Sequence, residues 1–554
     1  MTAIEPGTAA GRAPGDGSAD RAGPGRTAAS EVPAGPAAPA GSAESTGSAE
    51  SAAPLPLGAL VAVVGAGTMG RGIAQVALAA GHPVHLYDQD GERAAEAVKD
   101  IGARLDRLVE KGRMDAVDRD AARSRLRTVD SVSGLADAAL VVEAVAEDLE
   151  VKQNLFRALE VLVAEDCLFA TNTSSLSVTA VAGALGRPER LVGLHFFNPA
   201  PLMPLVEVVG GRTTGARYTA LARATVEAWG KIPVASADEP GFIVNRVARP
   251  FYAEAFALYE ERAADPATID AVLRECGGFP MGPFELTDLI GQDVNEAVTR
   301  SVWNSFFQSP KFVPSLAQRR LVEAGLLGRK TGHGWYDHTP GAERPLPQTA
   351  EPVDAPPYVT VGAVKGLTAE LAELVAEAGI DVREGNDGRW RPGIELPGGG
   401  FVVPVTGAPP GHGREWVQVD LALDYRAATR VAIAPAPTAS ARTADEAVGL
   451  FQALGKKVSV VADVPGLIVA RTVAMLIDIA ADAVARGVAS EADVDRAMRH
   501  GAGHPVGPFG WERRLPPGWA YHQLEEMHGF LQSGRYAPGY ALYRRTFQGE
   551  GADG

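Results

Sequence analysis

The stretch Leu60-Val-Ala-Val-Val-Gly-Ala-Gly-Thr-Met-Gly70 determines the fold class, because an apolar strand pattern runs directly into a loop with regularly spaced glycines. Apolar residues at helical spacing follow from Ile73 to Ala80. Gly65 permits the tight turn, Gly67 lets the backbone approach a pyrophosphate, and Gly70 lets strand and helix pack closely. The N-terminus of such a helix attracts negative charge, so the stretch predicts a dinucleotide-binding turn.

The residue after the next apolar segment indicates which dinucleotide binds. Val84-His-Leu-Tyr87 reads as a second strand, and Asp88 follows it where an acid is expected to bind the ribose 2′-hydroxyl. A carboxylate would repel a 2′-phosphate, and no arginine follows at once. We therefore predict NAD, rather than NADP, as the cofactor.

Composition and charge exclude several classes of function. The chain has 554 residues, enough for three or four domains, and a net charge of -16, which argues against a nucleic-acid partner. No run of lysine and arginine indicates an anionic membrane surface, and no apolar run is long enough to span a bilayer. Cys167 and Cys276 are the only cysteines, so we expect no disulfide framework, no metal site and a cytoplasmic location.

Composition and periodicity divide the chain into domains. Residues 1–56 consist mostly of Ala, Gly, Pro and Ser, so a disordered tail is expected. Residues 57–236 alternate short apolar strands with helical stretches, which is typical of a doubly wound parallel sheet and predicts an NAD-binding Rossmann domain. From 237 to 338 helical periodicity replaces the strands, so an all-helical domain is expected to follow.

An internal repeat indicates that this helical domain is duplicated. Pro240-Gly-Phe-Ile-Val-Asn-Arg246 recurs as Pro465-Gly-Leu-Ile-Val-Ala-Arg471, so that position 240 corresponds to position 465. The same shift, called the repeat offset below, relates Phe279-Pro-Met-Gly-Pro-Phe284 to His504-Pro-Val-Gly-Pro-Phe509 without a gap. A second helical domain is therefore expected over residues 463–554.

The region between the two copies resembles a reduced version of the opening fold. A linker rich in proline, alanine and glutamate is expected over 339–357, followed by a degenerate Rossmann-like domain over 358–462. Its loop has lost one of the spaced glycines, and its later strand candidates carry no histidine-Phe-Phe-Asn-Pro segment. We therefore expect this block to bind no nucleotide.

A histidine near the end of a predicted strand is the candidate general base. Oxidation of a secondary alcohol by NAD needs one base with a pKa near neutrality, which suits His195. Glu207 lies on the next strand and would bind the other imidazole N–H, while Ser174 would hold the reacting oxygen. A lone histidine near a strand end is more often structural, but a buried carboxylate needs a partner, and an imidazole is the obvious one.

A set of motifs together resembles the 3-hydroxyacyl-CoA dehydrogenase family and covers the chain from Leu57 to about Asp337. The motifs are Gly65-Ala-Gly-Thr-Met-Gly70, Val142-Glu-Ala-Val-Ala-Glu147, Asn172-Thr-Ser-Ser175, His195-Phe-Phe-Asn-Pro199, Pro240-Gly-Phe-Ile-Val-Asn-Arg246, Met281-Gly-Pro-Phe-Glu-Leu286 and Gly328-Arg-Lys-Thr-Gly332. The longer layout, with a reduced Rossmann-like block and a second helical domain, is similar to the bacterial members that oxidise 3-hydroxyadipyl-CoA in phenylacetate breakdown.

This resemblance implies functions for individual residues. His195 would be the base, Glu207 its partner, and Ser174 and Asn245 would assist at the substrate oxygen. The positions implied to contact NAD are Gly65, Gly67, Thr68, Met69, Gly70, Asp88, Glu147, Lys152, Ser174, Asn198 and Lys330. Independently of the resemblance, Lys111 lies on the expected helical excursion after the second strand and is a further candidate for substrate binding, at the pantetheine or a phosphate of CoA.

The implied reaction is the NAD-dependent oxidation of a (3S)-3-hydroxyacyl-CoA to the 3-oxoacyl-CoA, with 3-hydroxyadipyl-CoA as the expected substrate. 3-Hydroxybutyryl-CoA is the alternative, since no arginine or lysine for a terminal carboxylate is assigned from the sequence. A non-catalytic NAD-binding scaffold is the alternative from another class. The 3-hydroxyacid dehydrogenases are disfavoured, because Asn245 stands where they have a lysine.

The second copy of the helical domain departs from the family pattern. Ala470 stands where Asn245 stands in the first copy, and Gly510 replaces Glu285. Its function is therefore expected to be structural, supplying within one chain the packing that shorter relatives obtain by dimerising. A homodimer of the whole chain through its helical domains is the alternative.

Overall fold

The structure is a computed structural model that describes residues 52–362, 367–385, 393–409 and 414–549. Residues 1–51 of the predicted disordered tail lie outside the described residues. Leu55, which the prediction assigns to the tail, is buried, and its backbone N–H donates a hydrogen bond to Thr225 Oγ1 at 2.9 Å. Packed structure therefore begins before the predicted boundary at residue 56.

The first domain is built on an eight-stranded sheet with the strand order β3-β2-β1-β4-β5-β6-β7-β8. The strands are β1 (Val61–Val64), β2 (Val84–Tyr87), β3 (Leu126–Thr128), β4 (Leu140–Glu143), β5 (Leu168–Thr171), β6 (Leu191–Phe196), β7 (Leu205–Gly210) and β8 (Ile232–Ala237). The helices are α1 (Thr68–Ala79), α2 (Gly91–Glu110), α3 (Ala116–Ser124), α4 (Leu149–Glu160), α5 (Val178–Ala182) and α6 (Ala216–Ala228). Alternate side chains of β1 enter two separate apolar cores, so both faces of the sheet are covered.

One pair of strands in this sheet is antiparallel, and the prediction of a parallel sheet was wrong there. β6 runs parallel to β5 but antiparallel to β7, and β7 is parallel to β8. Only eight residues lie between Phe196 and Leu205, whereas a crossover to a parallel strand needs about a dozen or more. The short connection reverses the chain and places His195 directly opposite Glu207.

The next part of the chain is built mainly of helices, as predicted, with two isolated β-bridges that join Gly328 to His333 and His333 to Asp337. The helices are α7 (Val244–Val247), α8 (Arg249–Glu260), α9 (Pro266–Glu275), α10 (Pro283–Ile290), α11 (Gln292–Ser305) and α12 (Leu316–Glu323). The joint between α7 and α8 is Ala248, whose backbone is itself in the right-handed helical region. The chain therefore keeps a helical path through the joint, and Asn245 and Arg249 lie one turn apart.

A second, mixed sheet follows, with the order β10-β9-β11-β12-β13-β14-β15 among the described residues. The strands are β9 (Tyr358–Val361), β10 (Asp381–Glu384), β11 (Ile394–Glu395), β12 (Phe401–Pro404), β13 (Trp416–Val419), β14 (Arg430–Pro435) and β15 (Lys457–Val460), and the helices are α13 (Leu367–Glu377) and α14 (Ala441–Ala453). Three of its strand pairs are parallel and three are antiparallel. Residues 363–366 of the predicted glycine loop lie outside the described residues.

The second helical domain repeats the hydrogen bonds of the first. Its helices are α15 (Val469–Ala485), α16 (Glu491–Gly501), α17 (Pro508–Glu512), α18 (Trp519–Leu531) and α19 (Tyr540–Phe547). Asp270 accepts a hydrogen bond from the backbone N–H of Phe284 at 3.0 Å, and Asp495 accepts one from Phe509 at 2.9 Å. Donor and acceptor are both shifted by the repeat offset, so the contacts confirm the duplication.

The two copies also pack against each other. Phe279 and His504, which are equivalent positions, meet with their ring centroids 5.0 Å apart. Arg246 of the first copy binds Asp482 of the second at 2.6 Å. Contact between equivalent residues is what an approximate two-fold relation between the copies produces, as in a symmetric dimer.

Candidate active site

The glycine turn has the geometry that a bound dinucleotide requires. Gly65 has a φ of +105°, and a Cβ at this position would lie 2.4 Å from the carbonyl oxygen of Ala144. A Cβ at Gly70 would lie 1.8 Å from the carbonyl oxygen of Gly65. At Gly67, by contrast, a Cβ would meet no described atom within 4 Å. The fold itself therefore requires Gly65 and Gly70, while Gly67 borders open space in front of α1.

Asp88 is held beside this turn at the end of β2. Its Oδ2 accepts a hydrogen bond from the Ala66 N–H at 2.7 Å, and its Oδ1 accepts one from the Asp90 N–H at 3.0 Å. In this fold the ribose of a dinucleotide lies at the same strand end. The residues present therefore fit the adenosine half of NAD.

A chain of charged side chains connects the ends of β4 and β5. Lys152 is buried, with its Nζ 2.6 Å from Glu143 Oε1 and 3.2 Å from Glu147 Oε2. Glu147 Oε1 accepts hydrogen bonds from Thr173 Oγ1 at 2.7 Å and from the Ser174 N–H at 2.9 Å. Burial alone would raise the pKa of Glu147, but the Lys152 ammonium and these hydrogen bonds lower it to about 2. Glu147 is therefore ionised, and it fixes the loop that carries Ser174.

His195 and Glu207 face each other across the β6–β7 pair. His195 Nδ1 lies 2.6 Å from Glu207 Oε2, and both side chains are buried. The contact predicted from the sequence is confirmed. With the proton placed on Nδ1, where the carboxylate accepts it, Nε2 is the basic nitrogen. In the part of the chain that the structure describes, no protein group hydrogen-bonds to Nε2.

Glu207 also joins the sheet to the first helical domain. Its Oε1 accepts hydrogen bonds from the backbone N–H groups of Ile243 and Val244, both at 2.9 Å. These groups begin α7 and carry the positive end of the helix dipole. One carboxylate therefore orients the imidazole and fixes the start of the helix that carries Asn245.

Ser174 and Asn245 lie together next to this pair. Asn245 Nδ2 lies 3.5 Å from the Ser174 carbonyl oxygen. Asn172 Oδ1 accepts a hydrogen bond from the Phe196 N–H at 2.9 Å, which ties the Ser174 loop to the residue after His195. The structure therefore brings together the four residues expected to do the chemistry.

Three other predicted residues make no hydrogen bond or ion pair with this cluster in the described chain. Lys330 Nζ lies 2.5 Å from Asp293 Oδ1 in the first helical domain. Lys111 is an exposed residue directly after α2, and Asn198 is exposed in the connection between β6 and β7. Their proposed contacts with NAD and substrate stay predictions.

Glu143 belongs to the site, although sequence reasoning assigned it no function. It is fully buried, and its Oε2 accepts a hydrogen bond from Thr171 Oγ1 at 2.7 Å. A signal for it was present, because an acid that ends the apolar segment Leu140-Val-Val-Glu143 must find a cation or several donors. Lys152 is that cation.

Within the described ranges, no three His, Cys, Asp or Glu side chains are grouped so that they would hold a metal ion. None of the described helices combines the length and the apolar character needed to cross a bilayer.

Known families match the chain along most of its length. The 3-hydroxyacyl-CoA dehydrogenase NAD binding domain matches residues 60–239. The C-terminal domain of 3-hydroxyacyl-CoA dehydrogenase matches twice, at 241–338 and at 466–550. The reduced Rossmann-fold domain of 3-hydroxybutyryl-CoA dehydrogenase matches 408–465. These matches follow the order of the two sheets and the two helical domains.

Individual proteins are similar over the same regions. The 3-hydroxyadipyl-CoA dehydrogenase of Escherichia coli K12 is 42% identical over 488 residues, which cover 88% of this chain and 97% of that protein. The mitochondrial hydroxyacyl-coenzyme A dehydrogenase of Sus scrofa is 42% identical over 50% of this chain and 90% of its own length. A crystal structure described as 3-hydroxybutyryl-CoA dehydrogenase from Escherichia coli K12 aligns with a TM-score of 0.81 and 41% identity, over 90% of this chain and all of that one.

Proposed function

Because the chain belongs to the 3-hydroxyacyl-CoA dehydrogenase family and is an NAD-dependent oxidoreductase, we propose that it oxidises the 3-hydroxyl of a (3S)-3-hydroxyacyl-CoA at the His195 site. The proposal depends on one contact, the 2.6 Å between His195 Nδ1 and Glu207 Oε2, close to Ser174 and Asn245. A base, its carboxylate partner and polar groups for one oxygen are what this oxidation needs.

The reaction removes a proton from the hydroxyl and a hydride from the carbon that bears it. His195 Nε2 takes the proton, and Glu207 stabilises the resulting imidazolium through Nδ1. NAD, when bound, accepts the hydride and becomes NADH. In the opposite direction the imidazolium returns its proton to the oxygen of the 3-oxo group.

The remaining polar residues position the two reactants. Asn245 Nδ2 donates a hydrogen bond to the substrate oxygen. Ser174 Oγ, which donates to Glu147 Oε1 at 3.3 Å in the structure, donates to the substrate oxygen after its hydroxyl turns away from Glu147. Asp88 binds the ribose of NAD. Glu147 and Lys152 hold the Ser174 loop against the cofactor side of the sheet, since they are already bonded to each other and to that loop.

We propose 3-hydroxyadipyl-CoA as the substrate, in the cytoplasmic breakdown of phenylacetate. Support comes from the similarity to the Escherichia coli enzyme of that name, which extends over 97% of its length. 3-Hydroxybutyryl-CoA is the second candidate, because the similar crystal structure carries that name.

Steady-state kinetics on the purified full chain test this proposal. NADH absorbance would be followed with NAD and either thioester, and in reverse with acetoacetyl-CoA. We expect kcat/KM for 3-hydroxyadipyl-CoA to exceed that for 3-hydroxybutyryl-CoA at least about tenfold. The opposite ranking would make 3-hydroxybutyryl-CoA the substrate, and failure with all three thioesters would contradict the activity.

A further inference from the structure

Arg249, the first residue of α8, is a buried guanidinium without a carboxylate partner among the described residues. It is 5% exposed, and its Nη1 donates a hydrogen bond to Thr299 Oγ1 at 3.0 Å. Its Cζ lies 4.9 Å from the centre of the Tyr252 ring, and its buried Nε has no hydrogen-bond partner. Burial lowers the pKa of Arg249, with only the Tyr252 phenol acting against it. A buried cation without an anion costs several kcal/mol, roughly, so an arginine here calls for an explanation.

The position of Arg249 relates it to the reacting groups. Asn245, four residues earlier, places its amide 3.5 Å from the Ser174 carbonyl oxygen. The backbone stays helical between the two residues, so they lie on one face about 6 Å apart along the axis. Arg249 therefore lies about one helical turn beyond the group proposed to bind the substrate oxygen.

The duplicated domain offers an internal comparison, since its register is anchored by equivalent close contacts. A Cβ at Gly241 would lie 3.2 Å from Val302 Cγ2, and a Cβ at Gly466 would lie 2.8 Å from Met527 Sδ. Gly466 corresponds to Gly241 at the repeat offset, and Met527 corresponds to Val302. Residues at this offset in α8 and α15, and in α11 and α18, are therefore structurally equivalent.

At these equivalent positions the second copy is apolar. Arg249, Tyr252 and Thr299 correspond to Ala474, Ile477 and Leu524, all three of which are fully buried. The same helix pair therefore packs without an arginine, and the fold does not require one. The second copy also has Ala470 in place of Asn245. It therefore lacks both the arginine and the asparagine, and the sheet before it lacks the histidine segment.

We propose that Arg249 is the residue that binds the terminal carboxylate of a dicarboxylic acyl-CoA substrate. This inference rests on the proposed function and adds the residue that selects the substrate. In a 3-hydroxyadipyl group the carboxylate lies three carbon–carbon bonds beyond the hydroxyl-bearing carbon, a span comparable with one helical turn of about 5.4 Å. A guanidinium binds a carboxylate through parallel N–H groups, and the Nε without a protein partner is one such donor. The bound carboxylate supplies the missing counter-charge.

Two substrates of equal chain length separate charge recognition from general damage. We would measure kcat/KM for 3-hydroxyadipyl-CoA and for 3-hydroxyhexanoyl-CoA, which lacks the terminal carboxylate, in the wild type, Arg249→Met and Arg249→Lys. Arg249→Met is expected to lower kcat/KM for 3-hydroxyadipyl-CoA about 10²-fold, mainly through KM, with little change for 3-hydroxyhexanoyl-CoA. Arg249→Lys should recover part of the loss, because it keeps the charge but not the fork. Arg300→Met, which removes an exposed arginine from α11, is the matched control and should change neither value.

Binding of unreactive ligands makes the result independent of turnover. Adipyl-CoA and hexanoyl-CoA lack the hydroxyl, so their dissociation constants are measurable by calorimetry even if the proposed reaction does not occur. An equal loss for both ligands or both substrates in Arg249→Met would show that Arg249 is structural and would overturn the inference. Equal binding of adipyl-CoA and hexanoyl-CoA by the wild type would also overturn the inference. Absence of turnover together with Arg249-dependent binding of adipyl-CoA would instead refute the proposed reaction and leave the carboxylate site standing.

Discussion

Glu207 divides its two carboxylate oxygens between the imidazole of His195 and the backbone that begins α7. A fully buried carboxylate is unfavourable unless its oxygens accept hydrogen bonds, and here the imidazole and two N–H groups supply donors to both oxygens. The orientation of the His195 imidazole therefore depends on how the first helical domain meets the sheet. Substitutions at the two residues should have different consequences.

Replacing His195 by glutamine should remove the base and leave the fold intact. We expect kcat to fall by about 10² to 10⁴, the usual contribution of a general base. NADH binding, followed by fluorescence titration, should barely change, since Asp88 and the glycine turn are untouched. A variant with near-normal turnover would rule out His195 as the base.

Replacing Glu207 by glutamine should affect both activity and stability. The amide of glutamine has one acceptor oxygen and one NH₂ group. If the oxygen faces the N–H groups of α7, the NH₂ group faces the imidazole, and if the oxygen faces the imidazole, the NH₂ group faces α7. Either the imidazole or α7 therefore loses its acceptor. We expect a lower kcat together with a loss of about 1–3 kcal/mol in stability. Thermal unfolding measured beside the kinetics distinguishes this result from that of His195→Gln, and a variant with both kcat and Tm unchanged would contradict the double contact of Glu207.

Among the secondary-structure elements, the first helix of each helical domain begins at a buried acid that the preceding sheet supplies, Glu207 on β7 in the first copy and Asp420 after β13 in the second. Asp420, directly after β13, accepts hydrogen bonds from Ile468 N–H at 3.0 Å and Val469 N–H at 2.8 Å. These two groups are the equivalents, at the repeat offset, of the two that Glu207 binds. At the repeat offset Glu207 corresponds to Ala432 and His195 to Asp420, so the acid of the second copy stands at a different position. A carboxylate therefore binds the helix start in a copy that has no histidine there, which indicates that it is needed for packing apart from any chemistry.

Asp420→Asn should therefore destabilise the protein without reducing its activity. Backbone N–H groups that lose an acceptor in the interior cost about 1–3 kcal/mol. Circular dichroism melts should show a lower Tm, while kcat/KM measured well below that temperature stays at the wild-type value. Loss of activity without a change in Tm would mean that the second sheet takes part in the reaction.

Across the whole molecule, the two helical domains behave as two halves of an internal dimer. Both arginines of the repeated motif reach across to the other copy: Arg246 binds Asp482 at 2.6 Å and Arg471 binds Glu261 at 2.7 Å. Arg471 also lies 2.9 Å from the buried Glu254. These contacts support the expectation that the second copy replaces a partner subunit, while a homodimer of the whole chain stays a prediction.

His504, at the centre of this contact, should make the packing of the two halves sensitive to acid. Its ring lies against Phe279 and Phe251, and burial lowers its pKa to about 3. In the unfolded chain the pKa is about 6.5, so between these values only the unfolded state binds the proton. His504 therefore lowers the free energy of unfolding by about 1.4 kcal/mol for each pH unit as the pH falls from 6.5 towards 3.

His504→Phe installs the residue that the first copy carries at the equivalent position and removes this loss. Melting curves of the wild type and the variant should be close at pH 7.5. At pH 5 the variant should have gained about 2 kcal/mol in unfolding free energy over the wild type, compared with the difference between them at pH 7.5. Parallel pH dependence of the two proteins would show that His504 is not held neutral.

Some strands are predicted by the residues within them, whereas others form only because a neighbouring strand pairs with them. β1 and β4 are continuous apolar runs next to turn residues, so neighbours along the chain are enough to identify them. β8 contains Pro233, and β3 has only one apolar residue, Leu126. Both are strands because an adjacent strand pairs with them, which local propensity does not reveal.

The sequence by itself determined the dinucleotide turn, the acid after β2 and the duplication, and it indicated His195 and Glu207 as the candidate base and partner, because each depends on residue type and spacing along the chain. The tertiary structure decided the antiparallel register that joins His195 to Glu207, the second use of Glu207 and the isolation of Arg249. Glu207 meets the start of α7 across 36 residues, and Arg249 meets Thr299 across 50. Such contacts depend on which distant segments the fold brings together, and no local pattern contains that information.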